Sequence, residues 1–201
     1  MIDLWQIERD LHAAGYAVIC GVDEAGRGPL AGPVVAAAVI LPPGLDIGVD
    51  DSKKLGEAER DVLYDEIIAQ SVSYGIGLAT EREIDEVNIL NATYLAMNRA
   101  IAGLSPPPDL CLIDGNRASG VTYPNQCIIK GDSKCASIAA ASILAKVTRD
   151  RIMVELHALY PQYGFDRHKG YPTKAHYAAL DAYGVSEVHR ESFLRKWRRD
   201  D

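Results

Sequence analysis

Two adjacent carboxylates and a glycine-flanked arginine are the side chains in this sequence best placed to do chemistry together. Residues 20–29 read Cys-Gly-Val-Asp-Glu-Ala-Gly-Arg-Gly-Pro and close an apolar run. Asp23 and Glu24 offer the oxygen ligands that hard divalent cations prefer. Gly26, Arg27 and Gly28 offer accessible backbone N–H groups and one guanidinium, which suit a phosphate. Metal ligands beside a phosphate-binding turn indicate phosphoryl chemistry on a large anionic substrate.

Two further carboxylates follow apolar runs in the same way. Asp114 comes directly after residues 110–113 and precedes Gly115, and Asp132 follows Gly131. Because ligands gather outside the carboxyl ends of strands in α/β sheets, the four carboxylates should converge if these strands are neighbours. Such close charges repel one another unless cations neutralise them. Oxygen-only ligands favour Mg²⁺ or Mn²⁺.

Each of these acids also has a simpler interpretation on its own. Asp132 could be the N-cap of the helix that follows, Asp114 a residue at a strand-to-turn boundary, and Glu24 a solvated side chain. The repeated order of strand, carboxylate and glycine argues against all three simple interpretations holding at once.

Hydrophobic periodicity predicts an α/β fold with apolar, central strands and a helical C-terminal part. Strands are predicted at residues 16–23, 33–41, 72–79, 110–114 and 126–130. Helices are predicted at residues 3–14, 57–71, 80–102 with a break near Asn88, 133–159 and 173–184, with a loop at 161–172 and a basic helix after 184. Thr80 with Glu83 forms a capping-box pattern, and Thr173 is an expected N-cap. The length of 201 residues fits one domain, 1–201, with an α/β core over about 1–160 and a helical extension over about 161–201.

The net charge of −7 is unevenly distributed. Residues 1–111 carry 7 Lys and Arg against 18 Asp and Glu, whereas residues 112–201 carry 14 against 10. Residues 189–199 contain Arg190, Arg195, Lys196, Arg198 and Arg199 against one glutamate. Since local potential guides a polyanion more than total charge does, this basic stretch is compatible with nucleic acid. A solvated basic helix is the alternative.

Cysteine usage and hydropathy place the protein in a reducing compartment. The four cysteines, at 20, 111, 127 and 135, form no C-x-x-C pair, which argues against a zinc site and favours a reduced, cytoplasmic protein. No apolar run approaches the roughly 18 residues of a membrane span. The N-terminus has no basic region typical of a signal peptide.

Five blocks of sequence, in order, resemble the signature of ribonuclease HII, the type 2 ribonuclease H. They are VDEAGRGPLAGPV at 22–34, DSKKL at 51–55, IDG at 113–115, KGD at 130–132 with ASIAAASILAKVTRD at 136–150, and GFD at 164–166 with HKGYPT at 168–173. Together these blocks are far more specific than a single glycine motif. Residues 1–15 and 185–201 carry a weaker resemblance.

The resemblance implies a ribonuclease H-like fold, a mixed five-stranded sheet flanked by helices with a C-terminal helical extension. It implies Asp23, Glu24, Asp114 and Asp132 as catalytic residues and metal ligands, with Asp23 bridging two divalent ions, Mg²⁺ or Mn²⁺. It implies hydrolysis of the RNA strand of RNA–DNA hybrids and incision 5′ of single ribonucleotides in duplex DNA. The products carry 5′-phosphate and 3′-hydroxyl ends.

The resemblance also implies how the substrate is recognised. Gly26, Arg27, Gly28 and Tyr171 match the residues that read the ribose 2′-hydroxyl, the group that separates RNA from DNA. Without the resemblance, packing of a loop would be the favoured role for Tyr171.

Basic side chains in the matching blocks are candidates for phosphate contacts. They are Lys53, Lys54, Lys146 and Arg149, with Lys146 and Arg149 expected on one side of a helix. For each one, a surface ion pair is an equally good interpretation. His168 could assist proton transfer, although an ordinary loop histidine is the preferred interpretation.

Three alternatives stay open from sequence. Ribonuclease HIII usually carries an extra N-terminal domain, whereas only 22 residues precede Asp23 here. A catalytically silent nucleic-acid-binding module would not need all four acids, and a small-molecule phosphatase would not need a basic C-terminal helix. We expect a monomer, and residues 192–197 show no clear sliding-clamp motif.

Overall fold

The computed structural model describes residues 3–45, 48, 56–195 and 197. The strands are β1 Ile19–Ala25, β2 Val34–Ile40, β3 Ser73–Ala79, β4 Leu110–Asp114 and β5 Asn125–Ile128. The α-helices are α1 Gln6–Ala13, α2 Glu57–Gln70, α3 Glu81–Ala102, α4 Ala136–Leu159, α5 Phe165–His168 and α6 Lys174–Tyr183. Short 3₁₀ turns lie at Gly131–Ser133, Pro161–Tyr163 and Glu191–Phe193. No helix in these ranges is long and apolar enough to cross a membrane.

The strands form one mixed sheet in the order β3-β2-β1-β4-β5, which confirms the predicted five-stranded sheet. β1 and β3 each pair with β2 in antiparallel orientation, and β4 pairs in parallel with both β1 and β5. In the register, Val22 lies opposite Ile113, and Asp114 lies opposite Ile128. The ends of β1, β4 and β5 therefore meet at one edge of the sheet.

Helices cover both faces of the sheet, and α3 and α4 make the closest approaches. One core cluster joins α3 to one side of β1 and β2, and a second joins α4 to the other side of β2. Small residues permit this closeness. A Cβ atom at Gly21 would lie 2.1 Å from the backbone carbon of Ser137, and one at Gly77 would lie 2.2 Å from the carbonyl oxygen of Ala96. The complete burial of β2 follows from its position between the two helical layers.

Local capping signals in the sequence were largely confirmed. Thr80 and Glu83 form the predicted capping box, and the Thr173 hydroxyl accepts a hydrogen bond from the backbone N–H of His176. The expected break in α3 is at Asn88, which has φ of 68°. Its side-chain oxygen accepts hydrogen bonds from the N–H groups of Leu90 and of Asn91, so it caps the second half of the helix.

Two predictions about individual elements were wrong, and one alternative interpretation, Asp132 as an N-cap, is excluded. β1 starts at Ile19 and runs to Ala25, so Asp23 and Glu24 lie inside a paired strand because its antiparallel ladder with β2 continues past them. Asp132 lies in a 3₁₀ turn, and Cys135 is the N-cap of α4. Residues 161–172, predicted as a loop, contain one 3₁₀ turn and the short helix α5.

The predicted basic C-terminal helix is also not observed in the described residues. Beyond Gly184 these contain the 3₁₀ turn Glu191–Phe193 and an isolated antiparallel β-bridge between His189 and Ala31. Arg190, expected on a basic surface, is completely buried. Residues 196 and 198–201, which complete the basic stretch, lie outside the described residues.

Candidate active site

The carboxylates of β1 and β4 lie at the sheet edge where three strand ends meet. Asp23 is 7% exposed, Glu24 is partly buried beside it, and Asp114 ends the neighbouring strand. An Asp114 side-chain oxygen accepts a hydrogen bond of 2.6 Å from the backbone N–H of Gly131. This contact brings the turn containing the buried Asp132 against the end of β4. All four predicted acids therefore belong to one region.

The electrostatics of this region disfavour uncompensated negative charge. Burial, and then the charges of Glu24 and Asp114, raise the pKa of Asp23 well above its usual value. Burial also raises the pKa of Glu24, although Arg27, with Nη1 at 3.2 Å from Glu24 Oε1, acts in the opposite direction. A cation bound among these oxygens would relieve both effects.

The donor set fits a hard divalent cation in chemistry and charge. Every candidate ligand atom is a carboxylate oxygen, and burial desolvates Asp23. Among the described residues, however, no three acidic, His or Cys side chains already converge tightly enough to hold a metal ion.

The Gly-Arg-Gly turn is shaped by close backbone packing. Gly26 has φ of +94°, and a Cβ atom there would lie 2.0 Å from Arg149 Nε. A Cβ atom at Gly28 would lie 3.6 Å from a ring carbon of Tyr171. Since Gly28 lacks that atom, the Tyr171 ring faces open backbone. The Arg27 side chain, which is half exposed, projects from the same turn.

Two clefts meet at the acids. The first, of about 470 Å³, is lined by Glu24, Ala25, Gly26, Arg27, Gly28, Arg60, Ser142, Ile143, Lys146 and Tyr171. The second, of about 290 Å³, is lined by Glu24, Arg27, Leu90, Thr93, Tyr94, Met97, Asp114, Gly115, Asn116 and Arg117. Glu24 and Arg27 belong to both. Glu24 therefore lies where two depressions adjoin, and Asp114 lines the second of them.

Two buried arginines hold the turn from behind. Arg190 donates hydrogen bonds to the carbonyl oxygens of Gly26 at 2.7 Å, Pro29 at 2.9 Å, Gly32 at 2.9 Å and Arg27 at 3.2 Å. Burial, reinforced by the nearby Arg149 charge, lowers the pKa of Arg190 to about 9. Carbonyl dipoles thus stand in for water around a desolvated cation.

The structure corrects the prediction that Arg149 contacts phosphate. Arg149 is 1% exposed, and its guanidinium donates to the carbonyl oxygens of Ala31, Pro33 and Lys169. The helix points it inward, behind Gly26, because the buried loop carbonyls need donors. Its predicted partner Lys146 stays at the surface, lines the first cleft and pairs with Asp150 at 2.6 Å.

The remaining predicted residues divide into three cases. Tyr171 is 42% exposed and lines the first cleft. His168 has both ring nitrogens engaged, with Tyr163 O at 2.8 Å and Gly170 N at 3.2 Å, as an ordinary structural histidine would. Lys53 and Lys54 lie outside the described residues.

Sequence reasoning missed several residues of the site. Ser142 hydrogen-bonds Asp23 and lines the first cleft. Arg60 of α2 also lines that cleft. Arg190 was assigned to the surface. A serine in an alanine-rich helix and an arginine in a basic stretch carry no local signal of these roles, which depend on contacts between distant segments.

Comparison with known proteins decides the family. A family model described as Ribonuclease HII matches residues 20–196. The chain belongs to the ribonuclease HII family. The Ribonuclease HII of Dechloromonas aromatica (strain RCB) is 58% identical over 177 residues, 88% of this chain and 90% of that protein. That of Clostridioides difficile (strain 630) is 54% identical over 189 residues, 94% of this chain and 74% of that protein.

Solved structures agree with the ribonuclease HII assignment. The ribonuclease H2 of Pyrococcus horikoshii OT3 aligns with a TM-score of 0.75 at 30% identity, covering 91% of this chain and 98% of that one. The RNase HII in a PCNA complex from Archaeoglobus fulgidus aligns at 0.71 and 25% identity, covering 87% and 94%. The protein is thus a ribonuclease H enzyme, and the fold is ribonuclease H-like. The alternative of ribonuclease HIII is not supported.

The buried Arg190 yields a stability prediction for this ribonuclease HII. Arg190→Lys keeps the charge but cannot supply four donors in a planar fork, so buried carbonyls lose partners. We expect the free energy of unfolding to fall by about 2–4 kcal/mol, measured by urea denaturation. Arg167→Lys, at a side chain that is 88% exposed, is the matched control and should change it by less than about 0.5 kcal/mol. Equal effects of the two substitutions would contradict the anchoring role.

The raised pKa of Asp23 yields a second prediction. Asp23→Asn removes a buried charge that repels Glu24 and Asp114, while an amide oxygen can still accept the Glu24 N–H bond of 2.7 Å. In EDTA, the variant should be more stable by about 1–2 kcal/mol, a rise of roughly 2–6 °C in Tm. Asp65→Asn, at an exposed acid of α2, should leave Tm unchanged. A lower Tm for Asp23→Asn would show that its charge is compensated without metal.

Proposed function

We propose that this protein hydrolyses the RNA strand of RNA–DNA hybrids and incises 5′ of single ribonucleotides embedded in duplex DNA. Membership of the ribonuclease HII family supports the first activity. The observation that carries the second is the position of Tyr171, which faces Gly28 in the same cleft as Glu24. A cleft that joins an exposed tyrosine to a carboxylate can select one nucleotide and present its phosphate for cleavage.

The four acids are proposed to act as the ligands of divalent ions, Mg²⁺ or Mn²⁺. Asp23 is the candidate bridging ligand because the charges of Glu24 on its own strand and of Asp114 on the next strand both act on it. A pair of ions, when bound, would supply a nucleophilic water near neutral pH and stabilise the leaving 3′-oxygen. A crystal structure of Bst-RNase HIII contains Mn²⁺, but at 21% identity that protein supports the fold alone.

The Gly26-Arg27-Gly28 turn and Tyr171 are proposed to bind the ribonucleotide. Gly26 makes room for the buried Arg149 behind the turn, whereas the missing Cβ atom of Gly28 leaves backbone open toward Tyr171. The Tyr171 hydroxyl can hydrogen-bond the 2′-oxygen of a ribose there while its ring packs on the sugar. Arg27 bridges the two clefts, so it can hold a phosphate next to the acids. A deoxyribose would leave the polar groups of this turn and of Tyr171 unpaired, so the site should discriminate strongly against deoxyribonucleotides.

Lys146 is proposed to hold a flanking phosphate. Its ammonium group lines the first cleft, and its ion pair with Asp150 is part-exposed, so exchanging that partner for a phosphate costs little. Lys53 keeps its predicted phosphate role as a proposal from sequence alone. Arg149 acts instead by supporting the turn through its three carbonyl contacts.

The central experiment maps cleavage of a DNA duplex that contains one ribonucleotide. Incubated with Mg²⁺ or Mn²⁺, the protein should cut 5′ of the ribonucleotide and leave 3′-hydroxyl and 5′-phosphate ends, whereas EDTA should abolish the cut. Asp23→Asn should reduce kcat/KM by roughly 100-fold or more, since a ligand that stabilises the transition state is lost. Asp65→Asn serves again as the control. Binding without metal-dependent cleavage would identify a silent nucleic-acid-binding module instead.

Tyr171 yields a prediction about selectivity. Tyr171→Ala should lower kcat/KM for the single-ribonucleotide duplex roughly 10- to 100-fold, because ring packing and a hydrogen bond are both lost. Cleavage of a long hybrid, which offers many ribose contacts, should fall less. Tyr177→Ala is the control, because Tyr177 is also an exposed tyrosine but lies on α6. Equal losses on both substrates would exclude a reading role for Tyr171.

A further inference from the structure

Behind Tyr171 lies a cluster of histidines that the proposed reaction does not use. His176 of α6 is fully buried, His189 is 3% exposed, and His168 is partly buried. The rings of His168 and His176 stack with centroids 4.6 Å apart, and Tyr163 and Phe165 close the cluster. Three titratable rings in so apolar a place need their polar atoms paired.

The hydrogen bonds fix which nitrogen of each ring carries the proton. The backbone N–H of Ser186 can only donate, and it lies 3.1 Å from His189 Nδ1. That nitrogen therefore accepts, and the Ser186 hydroxyl, whose oxygen lies 2.8 Å away, can donate to it as well. Neutral His189 then carries its proton on Nε2. His189 Nε2 lies 3.0 Å from His176 Nε2, so it donates and His176 Nε2 accepts.

The chain of donors ends on the main chain of Tyr171. Because His176 Nε2 accepts, its proton is on Nδ1, which lies 3.0 Å from the carbonyl oxygen of Tyr171. That nitrogen therefore donates to Tyr171 O. His168 fits the same scheme separately, since Gly170 N–H points at its Nδ1 and its Nε2 is left to donate to Tyr163 O.

Burial keeps the paired rings neutral, as this arrangement requires. Desolvation, together with the neighbouring histidines, lowers the pKa of His189 to about 4, and desolvation also lowers the pKa of His176. A second proton on His176 would set N–H against N–H across the 3.0 Å contact with His189, and a second proton on His189 would face the backbone N–H of Ser186. The two rings consequently form a rigid strut with one direction of donation.

The strut connects the segment that carries Tyr171 with the segment that carries Arg190. His189 immediately precedes Arg190, whose backbone N–H donates to Leu30 O, and Leu30 N–H donates to Gly170 O. The Gly-Arg-Gly turn, Tyr171 and the 186–190 segment are therefore linked into one closed arrangement. His176 is the member that contacts the main chain of the tyrosine itself.

We propose that His176 and His189 are positioning residues that hold Tyr171 over Gly28 through the ordered hydrogen bonds Ser186 to His189 to His176 to Tyr171 O, and thereby set selectivity for a single ribonucleotide. This inference rests on the proposed function, because selectivity is defined by the two substrates named there. Neither histidine touches the substrate. Their effect is on the angle and the mobility of the Tyr171 ring.

Substitution at His176 tests the proposal through rescue. His176→Asn can keep a donor near the position of Nδ1, whereas His176→Phe fills the space without any donor. We expect His176→Phe to lower the ratio of kcat/KM on single-ribonucleotide duplex to kcat/KM on long hybrid by roughly tenfold. His176→Asn should keep this ratio within about threefold of wild type. Tyr177→Phe, on the same helix, is the control and should not change it.

A double variant separates positioning from general damage. In a Tyr171→Ala background, His176→Phe should not lower the selectivity ratio further, since the ring that it positions is gone. An additional drop of tenfold would overturn the proposal, as would equal behaviour of His176→Asn and His176→Phe.

A spectroscopic readout on the wild-type protein needs neither variants nor activity. Imidazole ¹⁵N NMR at pH 7 should show His176 protonated at Nδ1 and His189 protonated at Nε2, both neutral. The opposite tautomer at either ring would overturn the proposal even if every variant failed to fold. If wild type does not cleave single-ribonucleotide duplex at all, the proposed function fails, and the NMR result then decides the strut alone.

Discussion

The guanidinium of Arg190 among the carbonyl oxygens of the 26–32 loop is the interaction on which the site depends. Four carbonyl groups of this loop point into the protein toward one desolvated cation. Arg149 does the same for Ala31 and Pro33. The loop is also held through its N–H groups, since those of Leu30 and Gly32 donate to main-chain carbonyl oxygens of other segments. A loop rich in glycine would otherwise sample many conformations, and two buried cations restrict it to one.

This arrangement separates two kinds of positive charge that look alike in sequence. Arg149 and Arg190 are internal and satisfy backbone carbonyls, whereas Arg27 and Lys146 reach the cleft, where a phosphate can exchange with their carboxylate partners. The internal pair costs desolvation, which their lowered pKa values record. That cost is offset by hydrogen bonds that the loop could not obtain elsewhere.

The surroundings of the buried acids, unlike those of the buried arginines, oppose the charge of the side chain. Asp23 sits in a paired, buried strand at the centre of the sheet, where its charge is opposed by desolvation and by Glu24 and Asp114. Such a position reduces the stability of the metal-free fold, and it concentrates negative charge at one point. Electrostatic repulsion among buried carboxylates is typical of functional sites, and a bound cation would relieve it.

The sheet, the clustering of the acids and the family could all be predicted from the sequence. The apolar runs before Asp23 and Asp114 are local patterns, and capping by Thr80 and Thr173 needs only residues three apart, so both could be predicted from neighbours along the chain. The Gly26-Arg27-Gly28 turn and Tyr171 came from a specific motif, and the structure places them in one cleft.

Which arginines are buried, and how the C-terminal segment supports the 26–32 loop, could be read from the folded structure alone. Arg190 lies more than 150 positions from the carbonyls it binds, and Arg149 more than 100 from Pro33. The histidines of the strut come from α6 and from the segment after it. Long-range hydrogen bonds of this sort leave no periodic pattern in the sequence, because the partners of these arginines and histidines come near them only when the chain folds.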